Sequence, residues 1–193
     1  QLSDEGAPVI DDTLLEAEDK MDKAVTFAQE EFAAIRTGRP NPAMFSKLTV
    51  DYYGTPTPIQ QLASFASPEA MMMIITPYDK SVINDIERAI RDSDLGVNPA
   101  TDGMIVRVVM PQLTEERRRE YIKTAKTKAE EARVAIRNIR RHTNQVLDKM
   151  AKDGDVGEDD VKRAEKHLDD ATQQHVTRID DLLKHKESEL LEV

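Results

Sequence analysis

Arg119, Lys123, Lys126, Arg133, Arg137 and Arg140 recur at spacings of four, three, seven, four and three. An α-helix turns about 100° per residue, so this spacing gathers the cations into one stripe along a helix. Arg118 and Arg141 widen the stripe, and Glu130 interrupts it. Such a row can hold phosphate: each guanidinium donates a planar fork of hydrogen bonds, and a straight row can follow a nucleic-acid backbone. The competing reading is structural, with these cations paired to acids on neighbouring helices. No aromatic residues interleave with the cations, which argues against stacking on single strands and for backbone and shape contact with folded RNA.

Catalysis finds little to work with. The four histidines, His142, His167, His175 and His185, lack the spacing of a helical metal motif. Cysteine is absent, which removes thiolate nucleophiles, cysteine zinc sites and iron–sulfur clusters. No glycine-rich phosphate loop or nucleophile elbow occurs. The acid pairs Asp159-Asp160, Asp169-Asp170 and Asp180-Asp181 read as solvated helix faces, since nothing flanks them that would shift a pKa. The chain is expected to be no enzyme and to need no metal or cofactor.

The elements that must carry the stripe are legible from periodicity. Leu14, Ala17, Met21, Ala24, Ala28, Phe32 and Ile35 give a helix over about 12–35, stopped by Gly38, Pro40 and Pro42. A second helix starts near Thr114, with Glu115 and Glu116 complementing its dipole. Its seam is Ile122, Ala125, Ala129, Ala132, Ile136, Ile139, Thr143, Val146 and Met150, alternating threes and fours. Neither Pro nor Gly intervenes before Gly154, so at 1.5 Å per residue it spans on the order of 55 Å. A third helix, about 158–191, follows the break at Asp153–Gly157. Each buries one stripe and cannot stand alone in water, so an antiparallel three-helix bundle is expected.

Between the first two helices the pattern changes. Every proline but Pro8 lies between Arg39 and Pro111. Strand candidates are 47–53, 62–65, 71–76 and 104–110, with a helix over 81–94. The expected fold is α+β: a three-helix bundle from 1–38 and 113–193, with a small β/α/β domain inserted at 39–112. Gly38, Pro40, Pro42 and Pro111 mark the two crossings as a hinge. Residues 1–11 are expected to be a flexible extension.

Charge is segregated along the chain. Net charge is −10, yet Glu115–Arg141 holds ten basic residues against five acids. The longest apolar run, Ala70–Ile75, falls far short of the roughly 18–20 residues of a membrane helix. The first nine residues do not read as a signal peptide. A cytoplasmic protein with no membrane partner is expected.

Several stretches, taken together, resemble one family. They are Ile35–Arg39 (IRTGR), Asp51–Pro58 (DYYGTPTP), Ser93–Pro99 (SDLGVNP), Pro111–Arg118 (PQLTEERR) and Val134–Arg141 (VAIRNIRR). The chain closely resembles bacterial ribosome recycling factor. That resemblance implies an L-shaped monomer with a three-helix arm and a smaller arm. It implies binding to the large ribosomal subunit and its rRNA after termination. With GTP-bound elongation factor G, such a factor splits the subunits so that mRNA and tRNA leave. Carried over by motif, Arg137, Arg140 and Arg141 face rRNA, with Arg133 nearby and Arg36 and Arg39 near the joint. The stripe adds Lys126 and Arg119. Pro40 and Met71 depart from the family pattern.

The alternatives are a helical adaptor that docks an acidic protein through the stripe, and a metal-dependent hydrolase in the small module. The latter is remote, for want of ligand spacing. Because no ligand cluster is legible, chelation and dialysis should leave the circular dichroism spectrum and Tm of the chain unchanged. A fall in Tm that added metal reverses would show a structural metal the sequence hides.

Overall fold

A computed structural model describes residues 6–192, with side chains from residue 9 onward. The elements in chain order are α1 (Gly6–Ala33), β1 (Thr49–Tyr52), β2 (Thr55–Pro58), β3 (Ala63–Glu69), β4 (Met72–Pro77), α2 (Ile83–Arg91), β5 (Asn98–Asp102), β6 (Ile105–Val109), α3 (Glu115–Lys152) and α4 (Glu158–Leu191). They form two compact units: Gln1–Phe32 with Thr124–Lys186, and Ala33–Lys123 with Glu187–Val193. The division falls inside the long helices α3 and α4.

In the first unit, each helix contributes one apolar stripe. Ile10, Leu14, Ala17, Met21, Val25, Ala28 and Phe32 are buried along α1. Ala125, Ala129, Ala132, Ile136, Thr143 and Leu147 are buried along α3. Val161, Ala164, Leu168, Ala171, Val176 and Ile179 are buried along α4. The alanines let the helices approach closely. Polar links fix the directions. Glu18 meets His167 at 2.8 Å and Asp22 meets His175 at 2.7 Å, so α1 and α4 run the same way. Glu31 meets Lys128 at 3.4 Å, so the last turns of α1 lie beside the early part of α3.

Two expectations shift here. The 3-4 alternation predicted for α3 slips late: Leu147 is buried and Val146 only half-buried. An α-helix gains on a strict 3.5-residue repeat, so over many turns the seam moves one position. The extension expected over 1–11 is helical from Gly6, and Ile10 is buried. Pro8 sits in the first turn, where its missing N–H needs no acceptor, and Ile10 extends the Leu14–Ala17 stripe. Residues 1–5 of that expected extension lie outside the described residues.

The second unit holds antiparallel sheets and one covering helix. β1 and β2 form a hairpin through Tyr53-Gly54, both at positive φ (51° and 84°), as a two-residue turn of this hand requires. The other strands form a sheet in the order β3-β4-β6-β5. Met73, Ile75, Val106 and Val108 of this sheet pack in one core with Ile86 and Ile90 of α2. β2 and β5 were not among the expected strands. Both contain proline, and each ends a sheet, where a missing N–H costs no ladder bond.

His175 is buried, with Nδ1 2.6 Å from the Ala171 carbonyl oxygen and Nε2 2.7 Å from Asp22 Oδ1. Arg178 donates to the same carboxylate oxygen at 3.1 Å. The bond from His175, and then that from Arg178, holds the Asp22 carboxyl below its ordinary value of 3.8 despite a burial cost. A lowered carboxyl pKa stabilises the fold above the unfolded value, and the gain is lost as pH falls through the folded value. Asp22→Asn should therefore cost about 1 kcal/mol at pH 7, since the carboxylate is over half exposed and screened. That corresponds to a Tm drop of about 2–4 °C. The deficit should close as pH falls below 3.8, read by thermal melts from pH 7 to 2. A deficit that persists undiminished at pH 2 would show that the carboxylate contributes nothing through its charge.

Candidate nucleic-acid interface

The helix that carries the stripe is well delimited. Thr114 Oγ1 accepts from the Arg117 N–H at 3.1 Å and caps α3. Gly154, at φ 76°, ends it, with its N–H donating to Ala151 O at 3.1 Å and the Asp155 N–H to Met150 O at 3.0 Å. This left-handed glycine closure satisfies carbonyls that the last turn leaves open. Lys149 and Lys152 in that turn complement the dipole.

The predicted cations are not equivalent. Arg119 pairs with Glu115 one turn earlier at 2.6 Å. Arg133 is largely enclosed, its side chain 19% exposed. Its Nε donates to Asp180 Oδ1 of α4 at 2.8 Å and its Nη1 to Glu130 at 3.0 Å. Burial opposes its charge, but the two carboxylates outweigh burial and move its pKa up. Arg133 is thus a bolt between α3 and α4. Arg137 is 45% exposed and reaches Glu130 only at 3.9 Å.

Lys126, Arg140 and Arg141 make no ion pair among the described residues. Lys126 and Arg141 are exposed and Arg140 is half-buried. Across Lys126–Arg141 the surface therefore offers unpaired charge at both ends, with a neutralised bolt between them. Surface ion pairs are worth little and exchange readily, so Arg137 can also be drawn to a phosphate.

The two arginines expected near the joint lie in the second unit. Arg39 is exposed and pairs with Glu192 at 3.3 Å. Arg36 is a correction: it is buried, not a surface cation. Its Nη1 donates to Leu95 O at 3.1 Å and to Gly96 O at 3.0 Å, and its Nη2 donates to Pro111 O. Burial lowers its pKa, yet the three carbonyls occupy both terminal nitrogens. Its Nε is buried without a partner. Arg36 is consumed in bracing the loop after α2 to the segment that leads into α3. Gly96 is at φ 68°, and a Cβ there would lie 2.9 Å from the Arg117 guanidinium. Glycine is the residue that fits.

Sequence reasoning missed this bracing and the Arg133–Asp180 bolt. The acceptors of Arg36 lie 59 to 75 residues away and are all backbone, so no side-chain signal marks them. Asp180 sat in a pair read as a solvated face, and its partner on α3 is 47 residues away. Among the described residues no group of three or more His, Asp or Glu side chains is placed to hold a metal. No helix there is long and apolar enough to cross a membrane.

Comparison with known proteins covers nearly the whole chain. The family model for ribosome recycling factor matches residues 28–191. The ribosome-recycling factor of Acidothermus cellulolyticus is 67% identical over 185 residues, covering 96% of this chain and all of the relative. That of Streptomyces coelicolor is 63% identical over the same coverage. A solution structure of ribosome recycling factor aligns with TM-score 0.75 at 37% identity, over 95% of this chain and 98% of the other. A second structure, of the T. thermophilus ribosome recycling factor and the E. coli elongation factor G bound to the E. coli post-termination complex, aligns with TM-score 0.68 at 38% identity. That alignment covers 95% of this chain and 99% of the other. With its long helices, its small sheet domain and a relative that it matches from end to end, this chain belongs to the ribosome recycling factor family.

Proposed function

We propose that the chain is a non-enzymatic translation factor of the cytoplasm. It binds the large subunit of the post-termination ribosome and, with GTP-bound elongation factor G, splits the subunits. The observation that supports this most is the unpaired charge of Lys126, Arg140 and Arg141 on one rigid helix of an acidic protein. A relative has been placed on a post-termination complex with elongation factor G. The GTPase chemistry belongs to that partner. The factor supplies a rod whose arginines hold rRNA phosphates. Bending at Gly38, Pro40, Pro42 and Pro111 is part of the same reading. Arg36, by holding Pro111 to the loop at Leu95 and Gly96, keeps the exit crossing attached to the sheet module.

The arginines of α3 then divide into two kinds, which mutation separates. Arg141→Ala and Arg140→Ala each remove a charge-assisted phosphate contact worth about 1.5–3 kcal/mol. Each should weaken ribosome binding about tenfold or more and flatten its salt dependence by roughly one phosphate, with Tm nearly unchanged. Arg140→Lys should recover part of the loss, since the ammonium lacks the fork. Arg133→Ala should instead lower Tm, because it removes the link from α3 to Asp180 of α4. Lys149→Ala, in the last turn of α3, is the control. Co-sedimentation with vacant ribosomes across a salt series, beside thermal melts, reads all of these. Equal small effects at Arg140, Arg141 and Lys149 would reduce the stripe to a solvated face.

A further inference from the structure

The cationic stripe of α3 is broken by a charge of the other sign. Glu130 lies four residues after Lys126 and seven before Arg137. At about 100° per residue it stands within about 40° of both, inside the row rather than beside it. Along the helix axis it is about 6 Å from Lys126 and about 10 Å from Arg137. An exposed glutamate can ordinarily swing aside, but this one is held. Its Oε2 accepts from Arg133 Nη1 at 3.0 Å, and its Oε1 lies 3.9 Å from Arg137 Nη1.

Arg133 is held in turn. Its Nε donates to Asp180 Oδ1 of α4 at 2.8 Å, and its Nη2 lies 2.7 Å from the same oxygen. A line of contacts thus runs from α4 through Arg133 to the open face of α3. Two carboxylates share one guanidinium, so Asp180, Arg133 and Glu130 together carry one negative charge at the point where the spacing of the cations promises a positive one. The outward end of this node is the anionic one: the Glu130 side chain is 59% exposed, against 19% for Arg133. Asp180 alone gives Arg133 a carboxylate on two of its nitrogens, so neutralising Arg133 does not require Glu130. A surface shaped only to attract phosphate would be stronger without it.

We propose that Glu130 is a specificity-determining residue of the stripe, which bars a phosphate backbone running continuously along α3 and admits RNA whose backbones meet α3 on either side of it. This rests on the reading of α3 as an RNA-binding helix. The two seats are Lys126 on one side and Arg137, Arg140 and Arg141 on the other, about 16–22 Å apart along the helix. Phosphates of one strand follow each other much more closely than that. A strand laid along the rod therefore brings a phosphate against Glu130 in any register, well inside the roughly 8 Å over which salt leaves charges unscreened. A folded RNA that presents two separate backbone segments at the spacing of the seats leaves Glu130 facing the gap between them. The acid lowers affinity for every RNA that lacks this shape, and selectivity is the difference.

The test is Glu130→Gln in the full chain, with Glu131→Gln as the control. Glu131 is the next residue, about 100° further round, exposed and 3.9 Å from Lys128 rather than in the stripe. Each variant loses one negative charge. Binding of labelled poly(U), a continuous and unstructured backbone, is measured beside co-sedimentation with vacant ribosomes, both across a salt series. Glu130→Gln should tighten poly(U) binding about fivefold or more and steepen its salt dependence by roughly one phosphate. It should move ribosome binding by less than about twofold, and Glu131→Gln should move either by less than about twofold, as screening of a charge off the row implies. Poly(U) binding raised no more by Glu130→Gln than by Glu131→Gln overturns the proposal. So does ribosome binding that tightens as much as poly(U) binding, which would make Glu130 a general brake without selectivity. Weakened ribosome binding by Glu130→Gln also overturns it, since Glu130 would then serve the contact itself. If the unmodified chain fails to sediment with ribosomes while Glu130→Gln still tightens poly(U) binding, the barrier stands and the ribosomal reading falls.

Discussion

A helix cannot turn its seam toward a core without fixing where every other side chain on it points. In α3 that coupling sets what the bundle can bind. Burying Ala125, Ala132 and Ile136 places Lys126, Arg133 and Arg137 one residue further round, about 100° from the seam. That is the flank of the helix, within reach of a neighbour. Arg133 is accordingly caught by Asp180 of α4 and largely enclosed. Arg141, five residues beyond the buried Ile136, lies further out and stays exposed. Arg133 and Arg137 share one offset from the seam and differ in exposure, because Arg133 has the carboxylate of Asp180 beside it and Arg137 reaches Glu130 only at 3.9 Å.

The same coupling explains how far the sequence could be read. Three long helices and the cationic row share one period, so residue spacing revealed both, and the caps at Thr114 and Gly154 closed α3 where spacing alone could not. The prolines that hid β2 and β5 are tolerated because those strands lie at sheet ends, a fact of topology rather than composition. Pairings across helices were invisible for another reason. Arg133 and Asp180, like Asp22 and His175, are each ordinary surface types in a charged helix. Which acid meets which base depends on the rotation and offset of packed helices, set by the sum of many apolar contacts.

Arg36 shows the limit most sharply. By type and position, an arginine just after a helix and before Gly38 reads as surface charge. In the fold it is buried and spends its terminal nitrogens on the carbonyls of Leu95, Gly96 and Pro111. Those carbonyls lack regular partners because a turn at a positive-φ glycine and a proline exit interrupt the backbone ladder there. An unmade hydrogen bond in such a place costs about 1–3 kcal/mol, and one guanidinium answers several at once. Arginine suits this role because it presents five donors in a rigid fork, which lysine does not.

Net charge then acts on the whole at a different range from the local surfaces. At physiological salt, exposed charges are screened beyond about 8 Å. The acidic remainder of the chain therefore does not cancel Lys126, Arg140 and Arg141 at contact distance. It does make a polyanion unfavourable against most other faces. On the proposed function, an acidic protein with one cationic rod admits RNA at α3, selected by repulsion elsewhere as much as by attraction there.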